Sequence, residues 1–260
     1  MFTDPYQTAY DFRFRLFGVP IRIHPFFWLA ALFLSPPSAE PVPTILCWTA
    51  AMLTGILVHE FGHVIVQKFG YGANPYIVLY AFGGLACCDT RGYRRTPGTL
   101  GSILISLAGP LAGFMLVVAV VGIALACGLQ VGVSTIMLFN VIPLPLPIVN
   151  LPIAYLAYLD EYAFYLLYIS IFWGVFNLLP IYPLDGGHIC REICLLFSIR
   201  RGIVISLVIS SVTAVAFAIL LFADWASRDT KCCLPFNAIL MGVLAFISWQ
   251  SLQNYVRGYR

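Results

Sequence analysis

The sequence predicts an all-α polytopic membrane protein, with about six transmembrane helices. Short membrane-associated β segments are expected near the N-terminus and in the loop after helix 2. Three observations carry this expectation. First, 61% of the 260 residues are hydrophobic and only 10% are charged, whereas soluble domains have roughly 45–50% apolar and about 25% charged residues. Second, uncharged apolar runs recur at lengths near the roughly 20 residues that a helix needs to cross the hydrocarbon layer. Third, the basic residues sort to one set of connections. Arg13, Arg15, Arg22, Lys68, Arg91, Arg94, Arg95, Arg191, Arg200, Arg201, Arg257 and Arg260 make up 12 of the 14 basic residues, and all fall in segments assigned to one face.

This composition excludes a soluble enzyme, a disordered region and a disulfide-stapled secreted scaffold. The net charge of +3 is small and argues neither for nucleic acid nor for acidic partners, so no nucleic acid is expected. The eight cysteines, including Cys87-Cys88 and Cys232-Cys233, form no CxxC motif and read as small apolar fillers. Met1 to Ile23 has no clean apolar core and carries Arg13, Arg15 and Arg22, so it does not read as a signal peptide.

In chain order, Phe12, Phe14 and Leu16 alternate with Arg13 and Arg15, and Ile21 and Ile23 flank Arg22. A period of two predicts interfacial strands. A short first span follows over Pro25–Leu34, then a Pro-rich loop, then a second span over Thr44–Phe69. Between Gly70 and Gly98 two apolar patches, Tyr76–Phe82 and Leu85–Cys88, are separated by Gly83-Gly84, which reads as a hairpin or re-entrant segment. The third span, Thr99–Cys127, is rich in small residues, and Gly109-x-x-x-Gly113 permits close helix contact. Gly128–Tyr158 is apolar but broken by Pro143, Pro145, Pro147 and Pro152, so it cannot continue as a helix. It is expected to be an excursion on the outer face. Spans four to six are expected at Tyr162–Leu179, Ile203–Phe222 and Pro235–Gln250. The expected organisation is an interfacial segment at 1–24, a core at 25–200 and two C-terminal helices at 201–260. The outer segments hold Glu40, Asp160, Glu161, Asp224 and Asp229 but only Arg228 and Lys231. The positive-inside rule then places both termini in the cytoplasm of a multi-pass protein, with the cell membrane as the expected location.

Two acidic residues remain within or at the ends of the apolar spans, Glu60 and Asp185. A charge at mid-membrane costs about 2.5–3.5 kcal/mol on insertion scales, so such groups are functional candidates. Glu60 belongs to His59-Glu60-Phe61-Gly62-His63, an H-E-x-x-H pattern. On a helix, positions i and i+4 share a face, so both imidazoles can reach one metal ion while the intervening Glu addresses a water on it. With four His and four Glu in the chain, chance predicts only about 10⁻³ such patterns. A zinc hydrolase needs a third protein ligand. His24, His188 and Asp185 are the candidates. Topology favours Asp185, because spans two and four both run inward and bring it to the side of His63. Pro180 and Pro183 break the helix before it, which the bilayer tolerates where a cavity is lined.

H-E-F-G-H at 59–63 and N-x-x-P-x-x-P-L-D-G-G at 177–187 together resemble the site-2 protease family of intramembrane zinc metalloproteases. Arg22-Ile23-His24-Pro25-Phe26-Phe27-Trp28, Phe82-Gly83-Gly84 and Ala108-Gly109-Pro110 resemble further family landmarks in the expected order. The match spans roughly residues 12 to 200 and is most similar to the compact branch that includes the sporulation pro-sigma-factor processing protease, which lacks a PDZ insertion. The resemblance implies Zn2+ held by His59, His63 and Asp185, with Glu60 as general base. It implies that Asn177 stabilises the oxyanion or holds the substrate strand, with Gly83, Gly84 and Pro180 also on the substrate path. The implied substrate is a transmembrane protein, such as a membrane-bound regulator, cleaved in regulated intramembrane proteolysis. A homo-oligomer or a regulatory membrane partner is compatible with this reading. One departure is Gly113, where the family often has Asn.

Other intramembrane protease classes fit poorly. The sequence has neither G-x-S-G nor G-x-G-D, and Glu161 and Glu192 do not supply a downstream E-x-x-x-D/N ligand pattern. A metal transporter or a proteolytically inactive scaffold is the alternative. Spans five and six offer few polar residues for a transport path, and neither Glu60 nor the ligand candidates are lost.

Overall fold

A computed structural model describes residues 6–81, 83–88, 93–138, 142–150, 157–198, 201–227 and 236–258. Phe82, Arg91, Pro152, Arg200, Arg228, Asp229, Lys231, Cys232, Cys233, Pro235 and Arg260, all used in the sequence reading, lie outside these residues. The chain is mainly helical, with two small sheets.

The alternating N-terminal segment forms β1 (Phe12–Leu16) and β2 (Val19–Ile23), paired antiparallel. Ile21 and Ile23 turn inward and are almost fully buried. β2 continues into α1 (Pro25–Phe33), whose N-terminus is capped by His24: its Nδ1 accepts from the Phe26 amide at 3.2 Å. Proline at the first helical position sacrifices no intrahelical bond. α1 has nine residues, about 13 Å of helix, and cannot cross a layer of about 30 Å.

α2 (Pro41–Ile65) runs on into a π-helical turn, Val66–Gly70. The two apolar patches after it form the β3 (Tyr76–Tyr80) and β4 (Gly83–Cys87) hairpin. Gly83 and Gly84 open β4, opposite Tyr80 and Leu79, instead of forming the turn. β3 also pairs in parallel with β2, giving one four-stranded sheet in the order β1-β2-β3-β4. β4 is therefore an edge strand.

α3 (Thr99–Ala126) lies against α2. A side chain at Gly62 would overlap the Ala108 carbonyl and the Ala112 methyl, so glycine sets the α2–α3 approach.

The expected outer excursion is in fact a second hairpin, β5 (Gln130–Leu138) with β6 (Ile142–Asn150). Leu144, Leu146 and Ile148 alternate with Pro143, Pro145 and Pro147. The prolines share one parity, so their missing amides all fall on one edge of β6. β6 pairs with β5 through all nine positions, so the donors to β5 are the even-numbered amides and the proline edge faces away. Leu146 and Val149 are buried and pack with Leu167 of α4 (Ala157–Asn177).

α4 ends near Pro180. The segment from Asp185, which lies between the expected spans four and five, forms a further helix, α5 (Asp185–Phe197). An acidic residue at the start of a helix is favoured by the backbone dipole, and this offsets the two glycines that follow. α6 (Gly202–Ser227) and α7 (Phe236–Gly258) form an antiparallel C-terminal pair.

Four helices among the described residues are long and apolar enough to cross a membrane: Pro41–Gly70, Thr99–Ala126, Tyr158–Asn177 and Gly202–Ala226. Four of the six expected spans meet this length-and-composition test among the described residues. α1 is too short. α7 is long enough but carries Gln250, Gln253, Asn254 and Arg257 in its last turns. The chain is an integral membrane protein.

Candidate active site

His59, Glu60 and His63 lie on α2, buried against α3, β4 and α5; they are 3%, 4% and 6% exposed. The i, i+4 spacing brings the two Nε2 atoms to 3.3 Å. From α5, Oδ2 of Asp185 stands 3.1 Å from His59 Nε2 and 3.4 Å from His63 Nε2. Nδ1 of His63 lies 2.7 Å from the Ile105 carbonyl of α3. A carbonyl can only accept, so Nδ1 carries the proton and Nε2 presents its lone pair to the centre. Nδ1 of His59 is buried with no hydrogen-bond partner among the described residues.

The triangle of 3.1, 3.3 and 3.4 Å matches an edge length of about 3.3 Å, expected for a tetrahedron whose Zn–N and Zn–O bonds are about 2.0–2.1 Å. Three lone-pair donors at these separations, two of them buried and Asp185 half-buried, repel unless a cation or protons lie between them. The donor set, two imidazoles and one carboxylate, suits zinc.

Glu60 is held from the other side. Its carboxylate accepts from the Ala86 amide of β4. A Cβ at Gly84 would collide with its side chain. Its carboxylate lies within 4.8 Å of the ligand atoms of His59 and His63. Gly109 of α3 closes the third wall, since a Cβ there would overlap the Nε2 atoms of both histidines. Gly113, the departure from the expected pattern, packs instead against the Ser170 carbonyl of α4.

These groups open into a cavity of about 590 Å³, lined also by Gly83, Gly84, Trp173, Asn177 and His188. Asn177 donates to the Trp173 carbonyl at 2.9 Å through Nδ2, which leaves its second amide hydrogen uncommitted. Gly83, at φ +115°, faces the Trp173 ring. Pro180 does not line the cavity. His24 is a helix cap, and His188 faces Tyr182 with ring centres 5.5 Å apart.

Arg191 and Glu192, paired at 3.1 Å, also line the cavity, and Glu192 is buried. Both lie beyond the second signature, on α5, whose helical turns bring them to the cavity. The Arg next to a Glu one position on was the available signal.

Residues 48–223 match the family model for peptidase family M50. The chain belongs to peptidase family M50. This is the site-2 protease family that the two signatures resemble. This M50 chain is 27% identical over 184 residues to the zinc metalloprotease MJ0392 of Methanocaldococcus jannaschii, covering 69% of itself and 44% of that protein. It thus spans less than half the length of the curated relatives it matches. It superposes on the solved structure of the site-2 protease from Methanocaldococcus jannaschii with a TM-score of 0.53 and 22% identity, over 94% of this chain and 95% of that one. The M50 chain shares that fold.

Proposed function

We propose that the chain is an intramembrane zinc endopeptidase. In this reading His59 Nε2, His63 Nε2 and Asp185 Oδ2 hold one zinc ion, and Glu60 is the general base. The observation that carries the reading is the 3.1, 3.3 and 3.4 Å triangle of those three atoms, buried beside a carboxylate that is not part of it.

Zinc supplies Lewis acidity and makes hydroxide accessible from water near pH 7. Glu60, oriented by the Ala86 amide, takes the proton of the attacking water and delivers it to the leaving amine. The free amide hydrogen of Asn177 points the role of oxyanion donor to that residue. The edge of β4, beginning at Gly83 and Gly84, offers backbone groups to a substrate segment that has been unwound from its helix. Main-chain pairing would hold that segment extended beside the catalytic groups. Pro180 acts only by keeping α4 from continuing into the segment that leads to Asp185.

The substrate is a membrane-tethered protein, such as a transcriptional regulator, released by cleavage in or beside its transmembrane segment. The distribution of arginine and lysine supports cytoplasmic termini and a site nearer the cytoplasmic face of the cell membrane.

The test is cleavage of a model transmembrane substrate by the purified protein in detergent. The expected result is that chelation abolishes cleavage and stoichiometric zinc restores it. Undiminished cleavage after complete removal of zinc would overturn the reading. Cysteine placed at Pro145 should label from outside the cell; labelling only from the cytoplasm would reverse the orientation.

A further inference from the structure

Asp185 opens α5 directly after a loop, residues 178–184, that is held from outside the site. Its anchor is the backbone of Tyr182. The Tyr182 amide donates to the Ser210 hydroxyl of α6. The Tyr182 carbonyl accepts from the Ser248 hydroxyl of α7 at 2.9 Å. The two hydroxyls lie 2.9 Å apart. Both serines are buried, at 1% and 0% exposure. One residue of the loop thus has both backbone groups satisfied by a serine pair that spans two helices.

The rest of the loop is tied to this point. The Leu184 amide donates to the Ile181 carbonyl at 2.8 Å, and the His188 amide to the Leu184 carbonyl at 3.1 Å. Gly187 leaves no room between α5 and the backbone of Ile181 and Tyr182. A shift of Tyr182 is therefore transmitted directly to the first turn of α5, where Asp185 sits. Other serines on these helices bond differently. Ser211 donates to Leu207 of its own helix at 2.8 Å, and Ser251 to Ile247 at 2.8 Å. Such bonds do not tie the helix to the loop.

We infer that Ser210 and Ser248 are positioning residues for the metal site: by clamping the Tyr182 backbone they fix Asp185 at coordinating distance from His59 and His63. This rests on the reading of Asp185 as a ligand. The C-terminal helix pair then contributes to metal affinity without supplying a ligand. Residues that orient metal ligands typically cost about 10–100-fold in metal affinity when removed.

The experiment measures zinc affinity by competition with a chelator on purified protein in detergent, for Ser210→Ala, Ser248→Ala, the double variant, Ser211→Ala and Asp185→Asn. A second readout is the visible spectrum of the cobalt-loaded protein, which reports coordination geometry independently of catalysis. The double variant should bind zinc at least about tenfold more weakly and show an altered cobalt spectrum, with Ser211→Ala unchanged in both. Each single variant keeps one bond, so it should show a smaller shift of the same sign; this carries the test if the double variant does not fold. Wild-type affinity and spectrum in both single variants, with Asp185→Asn impaired, would overturn the inference alone. Wild-type affinity in Asp185→Asn itself would instead remove the ligand assignment beneath it.

Discussion

Nε2 of His59 lies 3.1 Å from Oδ2 of Asp185, 126 positions further along the chain. α2 and α5 share no local sequence relationship that would impose this. The contact exists because α4 returns the chain inward and the loop after Pro180 turns α5 back toward α2. It brings a third lone-pair donor to the local helical pair and completes the proposed metal cradle.

The cradle has no spare volume on its α3 side. Replacing Gly109 by Ala places a methyl against both imidazole nitrogens. Gly109→Ala is expected to lower zinc retention at least about tenfold. Gly122→Ala is the control, because among the described residues nothing beyond its own stretch of helix lies within 4 Å of a Cβ there. Equal zinc content in the two variants, measured by metal analysis after dialysis, would contradict the described packing.

The N-terminal sheet is pinned by charge. Burial opposes ionisation of Asp11, but hydrogen bonds from Thr8 and Arg22 outweigh it and hold the carboxyl well below the usual carboxylate range. Arg22 Nη1 stands 3.0 Å from Asp11 Oδ2. A carboxylate with a depressed folded-state pKa contributes stability that is complete above its unfolded value, near 4, and is lost as the pH falls through the folded value. Asp11→Asn should lower the melting temperature by roughly a few degrees at pH 7 and flatten the acid limb of the stability profile. A melting curve in detergent from pH 7 to pH 3 reads both. A variant as stable as wild type at pH 7 would show that the pair contributes nothing.

The proline row of β6 has a physical use. Pro143, Pro145 and Pro147 remove alternate amides from one edge of an apolar ribbon that would otherwise invite pairing with another chain. Restoring those donors with a Pro143→Thr, Pro145→Thr, Pro147→Thr variant should raise the fraction of higher oligomers on size-exclusion chromatography. An unchanged elution profile would count against this role.

The sequence made the local half of the site legible. His59, Glu60 and His63 repeat at helical spacing in an apolar run, and burying them there makes chemical sense only around a cation. Asp185 was visible through a second signature, because proline and glycine mark a broken helix with an acid beside it. What stayed hidden is non-local. The parallel pairing of β2 with β3 joins segments on either side of α1 and α2. The anchoring of Tyr182 by Ser210 and Ser248 links three elements through two hydroxyls that read as ordinary spacers within apolar helices. The β5–β6 hairpin did carry a period of two, in Leu144, Leu146 and Ile148. The prolines between them argued so strongly against a helix that the strand pattern went unread.

Glu60→Gln tests the central claim most directly, because glutamine keeps the shape of the side chain and removes its basicity. Bound zinc and cleavage of a transmembrane substrate are measured on the same purified sample. The expected result is one zinc per chain, as in wild type, with cleavage reduced at least about 100-fold. Wild-type cleavage by Glu60→Gln would contradict Glu60 as the base, and with it the proposed mechanism.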